Sequence, residues 1–187
     1  MGNLSFVDTE SIPSADNLYD QYWYLLAVLP LALRAKVIVE TGLQLGKSTA
    51  IFLRALLRLG GGRLYTFEKD PDPMVVERLR TQFPKQDWQL VVGDSTKQTW
   101  ERGNIDLLYL DSDHSFDSVT GEIKAFGPHL SKKGIILTHD SMPSLEHVSY
   151  TNTRPSATFM ALDRWAGPEW QVLLFDFPEG MTMLYRR

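Results

Sequence analysis

Residues 37–49, Val37-Ile38-Val39-Glu40-Thr41-Gly42-Leu43-Gln44-Leu45-Gly46-Lys47-Ser48-Thr49, run from an apolar stretch through a carboxylate and two glycines into an amphipathic stretch. That order predicts a strand, a tight turn and a helix start. Glycines in such a turn let bare backbone approach a ligand. The helix N-terminus favours an anionic group. Glu40, closing the strand, favours a cationic or hydroxyl-rich one. A ligand carrying both kinds of group suits the turn. Two phosphate-binding patterns come close. Gly46-Lys47-Ser48 matches the tail of a P-loop, but that loop needs four residues between its first glycine and Gly-Lys, and Gly42 leaves three. The dinucleotide pattern G-x-G-x-x-G finds its outer glycines in Gly42 and Gly46 but has Gln44 in place of its second glycine.

Strand and helix signals alternate after this segment. Strands are expected at Lys36–Glu40, Arg63–Phe67, Trp88–Val92, Ile105–Leu110 and Gly134–Thr138. Helices are expected at about 47–59, from Pro71 or Pro73 to 83, and at 116–126. The repeat predicts a doubly wound α/β fold, Rossmann-like and mostly parallel, with ligands beyond the carboxyl ends of the strands. Glu40, Glu68, Asp111 and the pair His139-Asp140 close four of these strands, and Asp94 follows the remaining one. The tail breaks the alternation. After a helix at 157–165, residues 171–177 and 181–187 read as strands joined by Pro178-Glu179-Gly180, too short for a crossover, so they form an antiparallel hairpin.

The chain of 187 residues suits a single domain, with an N-terminal arm and cap helix over 1–35 and the core over 36–187. Asp16 or Asn17 is expected to cap a helix covering 17–29, with its end marked by Pro30. The apolar run 22–33 is too short for a bilayer, which needs about 20 residues. A net charge of -4 without a basic block argues against nucleic-acid binding. With no cysteine, disulfides and thiolate metal sites are excluded. The first ten residues lack a basic-then-apolar leader, and Phe6 stands where N-myristoylation needs Ser or Thr, so a cytoplasmic chain with no membrane partner is expected. The long segment 141–155, with Arg154, has the length of a lid or binding loop.

The pattern E-x-G-x-x-x-G-x-S-T (Glu40 to Thr49), Glu68 at the end of the second strand, Asp94-Ser95, the run Asp111-Ser112-Asp113-His114-Ser115 and the C-terminal hairpin together resemble class I S-adenosylmethionine methyltransferases. The nearest branch is the metal-assisted small-molecule O-methyltransferases, of the catechol and antibiotic-tailoring types. The resemblance implies a seven-stranded methyltransferase fold and methyl transfer to a hydroxyl of a small molecule. It implies a cofactor site of Glu40, Gly42, Gly46, Ser48, Glu68, Asp94, Ser95 and Asp111, with Glu68 on the ribose and Asp94 on the adenine amino group. It implies a divalent metal, Mg²⁺, Mn²⁺ or Zn²⁺, on Asp111, His139 and Asp140. His139 stands where the catechol-type pattern has a carboxylate, and imidazole suits Mn²⁺ or Zn²⁺ better than Mg²⁺. His114, with Asp111 and Asp140, is the candidate catalytic group, either as base or as a partner orienting Asp111. Related enzymes often form homodimers. Two other readings stay open on sequence: an NAD-dependent oxidoreductase, and a nucleoside-binding module without turnover.

Overall fold

The fold is described from a computed structural model covering residues 21–141, 156–175 and 180–187. Five strands, β1 (Val37–Thr41), β2 (Arg63–Glu68), β3 (Asp87–Val92), β4 (Ile105–Leu110) and β5 (Leu130–His139), run parallel. The hairpin β6 (Trp170–Phe175) and β7 (Met181–Arg186) is antiparallel, and β7 pairs antiparallel with β5. The sheet order is β3-β2-β1-β4-β5-β7-β6. The order reverses between β1 and β4, and a crevice opens there beyond the strand ends. This is the seven-stranded, mostly parallel sheet with a C-terminal hairpin that the sequence predicts.

Period-two alternation sends successive strand residues to opposite layers. Ile38 and Tyr109 join a core with Leu26 of α1 (Gln21–Leu33), Phe52 and Leu56 of α2 (Lys47–Arg58) and Leu79 of α3 (Pro73–Gln82). Val39 and Leu108 join a second core with Ile123 and Phe126 of α4 (Phe116–Phe126) and Leu162 of α5 (Ala157–Trp165). Gly60 ends α2 in the left-handed region at φ 79°, and the N–H groups of Gly60 and Gly61 reach back to the carbonyls of Leu57 and Leu56.

Some boundaries differ from expectation. Pro30 lies inside α1, not at its end. The helix continues to Leu33 and stops where Arg34 turns to φ 51° and the Ala35 N–H donates to the Pro30 carbonyl at 2.9 Å. Asp72 caps α3, accepting the Met74 N–H at 2.8 Å. β5 starts at Leu130, which pairs with Ile105 ahead of a register shift. Residues 1–20, including the expected helix start at 16–17, and residues 142–155, including Arg154, lie outside the described residues.

The second core should be energetically asymmetric with the surface. Phe126 is fully buried against Phe67, 4.9 Å away between ring centroids, whereas Met74 is 80% exposed. Phe126→Ala should lower the unfolding free energy by about 3–5 kcal/mol in urea denaturation, and Met74→Ala should change it by no more than about 0.5 kcal/mol.

Candidate functional site

The parallel register places four residues in one row. Phe67, Thr41, Leu110 and Thr138 are paired across β2, β1, β4 and β5. One step further along the chain come Glu68, Gly42, Asp111 and His139. All four line a cavity of about 690 Å³ at the strand ends. The row is tight at its centre. Gly42 has φ 86°, its N–H donates to the Phe67 carbonyl at 2.8 Å, and a Cβ there would collide with the Asp111 backbone. Only glycine meets both demands.

Glu68 anchors the turn. Its Oε2 accepts the N–H groups of Leu43 at 2.8 Å and Gln44 at 3.4 Å, and its Oε1 those of Lys69 at 2.7 Å and Asp70 at 3.2 Å. Burial pushes this carboxyl up, but the four backbone donors outweigh it and hold it below the ordinary carboxylate range. Gly46, at φ 70°, begins α2 without a side-chain cap. Gly46, Lys47 and Ser48 line the cavity, so the first turn of α2 faces the cavity with its N–H groups unclaimed by a side-chain cap.

Glu40 and Asp94 do not line the cavity. Glu40 lies two residues below the row and is fully buried. Its Oε2 accepts the hydroxyls of Thr49 at 2.7 Å and Thr66 at 2.8 Å. It therefore ties β1 to α2 and β2 from beneath, off the lining on which a cofactor contact is expected. Burial pushes its carboxyl up to about 7, with the Ser48, Thr49 and Thr66 hydroxyls opposing. Asp94 caps the turn Ser95–Lys97: its Oδ1 accepts the Thr96 N–H at 3.0 Å and hydroxyl at 2.7 Å, and Lys97 and Lys69 approach Oδ2. Its neighbours Gly93 and Ser95 line the cavity instead.

The run 111–115 makes a compact turn. Asp113 accepts the Ser115 N–H at 3.1 Å, and the Ser115 hydroxyl caps α4 by accepting the Ser118 N–H at 3.3 Å. This turn returns His114 to Asp111. His114 Nε2 lies 3.2 Å from Asp111 Oδ1, and its Nδ1 lies 2.6 Å from Asp140 Oδ2. His139 Nδ1 lies 3.3 Å from the same Asp111 oxygen and 3.6 Å from Asp140 Oδ1. Tyr109 donates its hydroxyl to Asp111 Oδ2 at 3.0 Å. Burial raises the Asp111 carboxyl, but both imidazoles outweigh it and leave the group below its ordinary value. Asp111 and Asp140 together push the His114 imidazole up to about 10. One donor atom each from Asp111, His114 and His139 fall within 4.8 Å of one another, close enough to share a cation. Tyr22 of α1 stacks on His139, 4.7 Å between centroids, and Tyr22 and Trp23 form the cavity's aromatic wall.

One buried carboxylate escaped the sequence reading. Glu122 of α4 is fully buried, and its Oε1 accepts the Ser95 hydroxyl at 2.6 Å and the Ser112 hydroxyl at 2.5 Å. Its signal was present: Val119, Glu122, Ile123 and Phe126 form one helical stripe, with a carboxylate among apolar residues.

Comparison with known proteins agrees with the fold. Residues 39–141, more than half the chain, match a methyltransferase domain family. The chain belongs to that family. No curated protein matches the sequence. Among solved structures, an O-methyltransferase from Bacillus cereus in complex with SAH is similar at 17% identity, with 96% of this chain and 86% of that one covered and a TM-score of 0.67. An SAH-bound methyltransferase from Podospora anserina is similar at 20% identity, covering 98% and 83%, with a TM-score of 0.67. A methyltransferase from Geobacter sulfurreducens is similar at 19% identity, covering 94% and 81%, with a TM-score of 0.64. Family membership and the β6–β7 hairpin set aside the NAD reading.

The Glu40 carboxyl yields a pH prediction. Its pKa is raised on folding from 4.5 to about 7, so the native state holds the proton more tightly than the unfolded chain. The Glu40 contribution to stability therefore falls as pH rises through that window, by about 3 kcal/mol in all, and is flat above it. Glu40→Gln should remove this fall. Urea unfolding of both proteins at pH 5 and pH 8 should show wild type losing stability between the two and the variant losing less.

Proposed function

We propose that this protein is an S-adenosylmethionine-dependent O-methyltransferase acting on a small-molecule hydroxyl, with a divalent metal held beside the cofactor. The observation that carries this reading is the row Glu68, Gly42, Asp111 and His139 facing a single cavity. S-adenosylmethionine would supply the methyl group from its sulfonium. The first turn of α2 suits the amino-acid carboxylate, and Ser48 stands beside it. Glu68 has its oxygens turned to the turn's N–H groups, so ribose hydroxyls would share a carboxylate already fixed in place and ionised. The aromatic wall of Tyr22 and Trp23 would receive the acceptor.

The donor set fits a metal, in a form that departs from the expected trio. Asp111 and His139 remain ligands, and His114 Nε2 replaces Asp140 as the third. Asp140 Oδ2, on His114 Nδ1, would fix the tautomer that leaves Nε2 free to bind. Two imidazole nitrogens and one carboxylate favour Mn²⁺ or Zn²⁺ over Mg²⁺. When bound, such a cation would lower the pKa of an acceptor hydroxyl. His114 is a poor base when no cation is present, since between Asp111 and Asp140 it holds its own proton at neutral pH. A cytoplasmic setting suits a chain without cysteine.

Calorimetric titration with S-adenosylhomocysteine should give saturable one-to-one binding, and Gly42→Ala should weaken it at least about tenfold because the added carbon displaces the turn from Asp111. Asp140→Ala should leave that binding intact while lowering Zn²⁺ affinity about 10–100-fold. Absence of S-adenosylhomocysteine binding to the wild type would sink the cofactor assignment. Unchanged Zn²⁺ affinity in Asp140→Ala would sink the metal assignment alone. Release of labelled methyl to a panel of phenols and hydroxy metabolites identifies the acceptor class.

A further inference from the structure

We propose that Glu122, which lies outside the cavity lining, makes the cavity selective for a nucleobase bearing a hydrogen-bond donor, the 6-amino edge of adenine. The inference rests on the S-adenosylmethionine reading above and adds a specificity-determining, positioning residue to it. A hydroxyl has one proton and two lone pairs, whereas a carboxylate only accepts. Ser95 and Ser112 both spend their proton on Glu122 Oε1, at 2.6 and 2.5 Å. Both serines line the cavity. What they turn toward it is lone pairs alone. A 6-amino group can donate to such a wall, and a 6-oxo group meets it acceptor to acceptor.

The arrangement is held from outside the cavity. Glu122 is fully buried on α4, and its carboxyl draws its polar contacts from the two serines on Oε1 and from the nearby Thr41 hydroxyl. The neighbouring Gly121 lets α4 press on the Ser95–Lys97 turn: a Cβ at Gly121 would lie 2.8 Å from Thr96 Cβ. Asp94, the residue expected on the adenine amino group, caps that turn off the cavity wall, which leaves Ser95 as the side-chain acceptor from this loop that reaches the lining.

The test compares S-adenosylhomocysteine with S-inosylhomocysteine, its 6-oxo counterpart, by calorimetry. The wild type should prefer the adenine compound by about tenfold, the worth of one good hydrogen bond gained against one lost. Glu122→Leu removes the acceptor, so the serine protons are free to turn to the cavity and the preference should shrink toward one. The double variant Ser95→Ala/Ser112→Ala should lose the preference equally, and Glu122→Leu added to it should change the ratio no further. A folded Glu122→Leu protein that keeps the wild-type ratio overturns the proposal. If circular dichroism finds that variant unfolded, the serine double variant decides, and an unchanged ratio there overturns it. Wild type that binds both compounds equally overturns the proposal while leaving the cofactor assignment standing. Wild type that binds neither removes both.

Discussion

The register between β1 and its two neighbours governs the site. Parallel pairing of Thr41 with Phe67 on one side and Leu110 on the other puts Gly42, Glu68 and Asp111 at one height, and the β4–β5 pairing adds His139. A slip of one residue in any pair would turn its side chains to the opposite layer. The Gly42 backbone is wedged against the Asp111 backbone, so the turn and the imidazole-carboxylate cluster cannot shift independently. Asp106 reinforces the same register from the far end of β4, accepting the N–H groups of Lys36 at 2.8 Å and Val37 at 3.1 Å.

Around that row, the kind of partner decides the charge of each carboxylate. Glu68 has backbone N–H groups and Asp111 has imidazoles, and both are held below their ordinary pKa despite burial. Glu40 and Glu122 have hydroxyls as partners, and burial wins, raising both. A hydroxyl supplies one neutral hydrogen bond, and three of them do not replace the hydration lost by a fully buried charge. The acids whose pKa is held down face the cavity, and the acids whose pKa burial raises lie beneath it. Ligand binding and scaffolding are divided by hydrogen-bond chemistry as much as by position.

Much of this was legible in the sequence. The β-α alternation, the glycine turn, the hairpin joined by a linker too short for a crossover, and the acids and His139 at strand ends all follow from local patterns. What the pattern could not supply was height. Glu40, Glu68 and Asp111 look alike as acids closing apolar runs, yet Glu40 sits two residues short of the row and points into the interior. Chain-local reading assigns a residue to a strand end, while register, a property of two strands, sets which end residue reaches the crevice. Asp94 shows the same limit, because a capping acid and a ligand acid both follow a strand. The cap of α3 shows the same ambiguity, since two acids flank Pro71 and the helix begins only after Asp72.

Glu122 carries the same lesson into the helical layer. A carboxylate on a stripe shared with Val119, Ile123 and Phe126 is costly if it is left without partners, and a leucine there would bury at no polar cost. Its neighbours explain its presence. Ser95 follows β3 and Ser112 follows β4, so one side chain of α4 joins two loops that the sheet alone does not connect. β3 and β4 are separated in the sheet by β2 and β1. Sheet hydrogen bonds thus align the floor of the cavity only between adjacent strands, and the span from β3 to β4 is set by α4 crossing above them. A polar residue at that crossing point ties the two loops with directional bonds, which an apolar contact of equal volume could not orient.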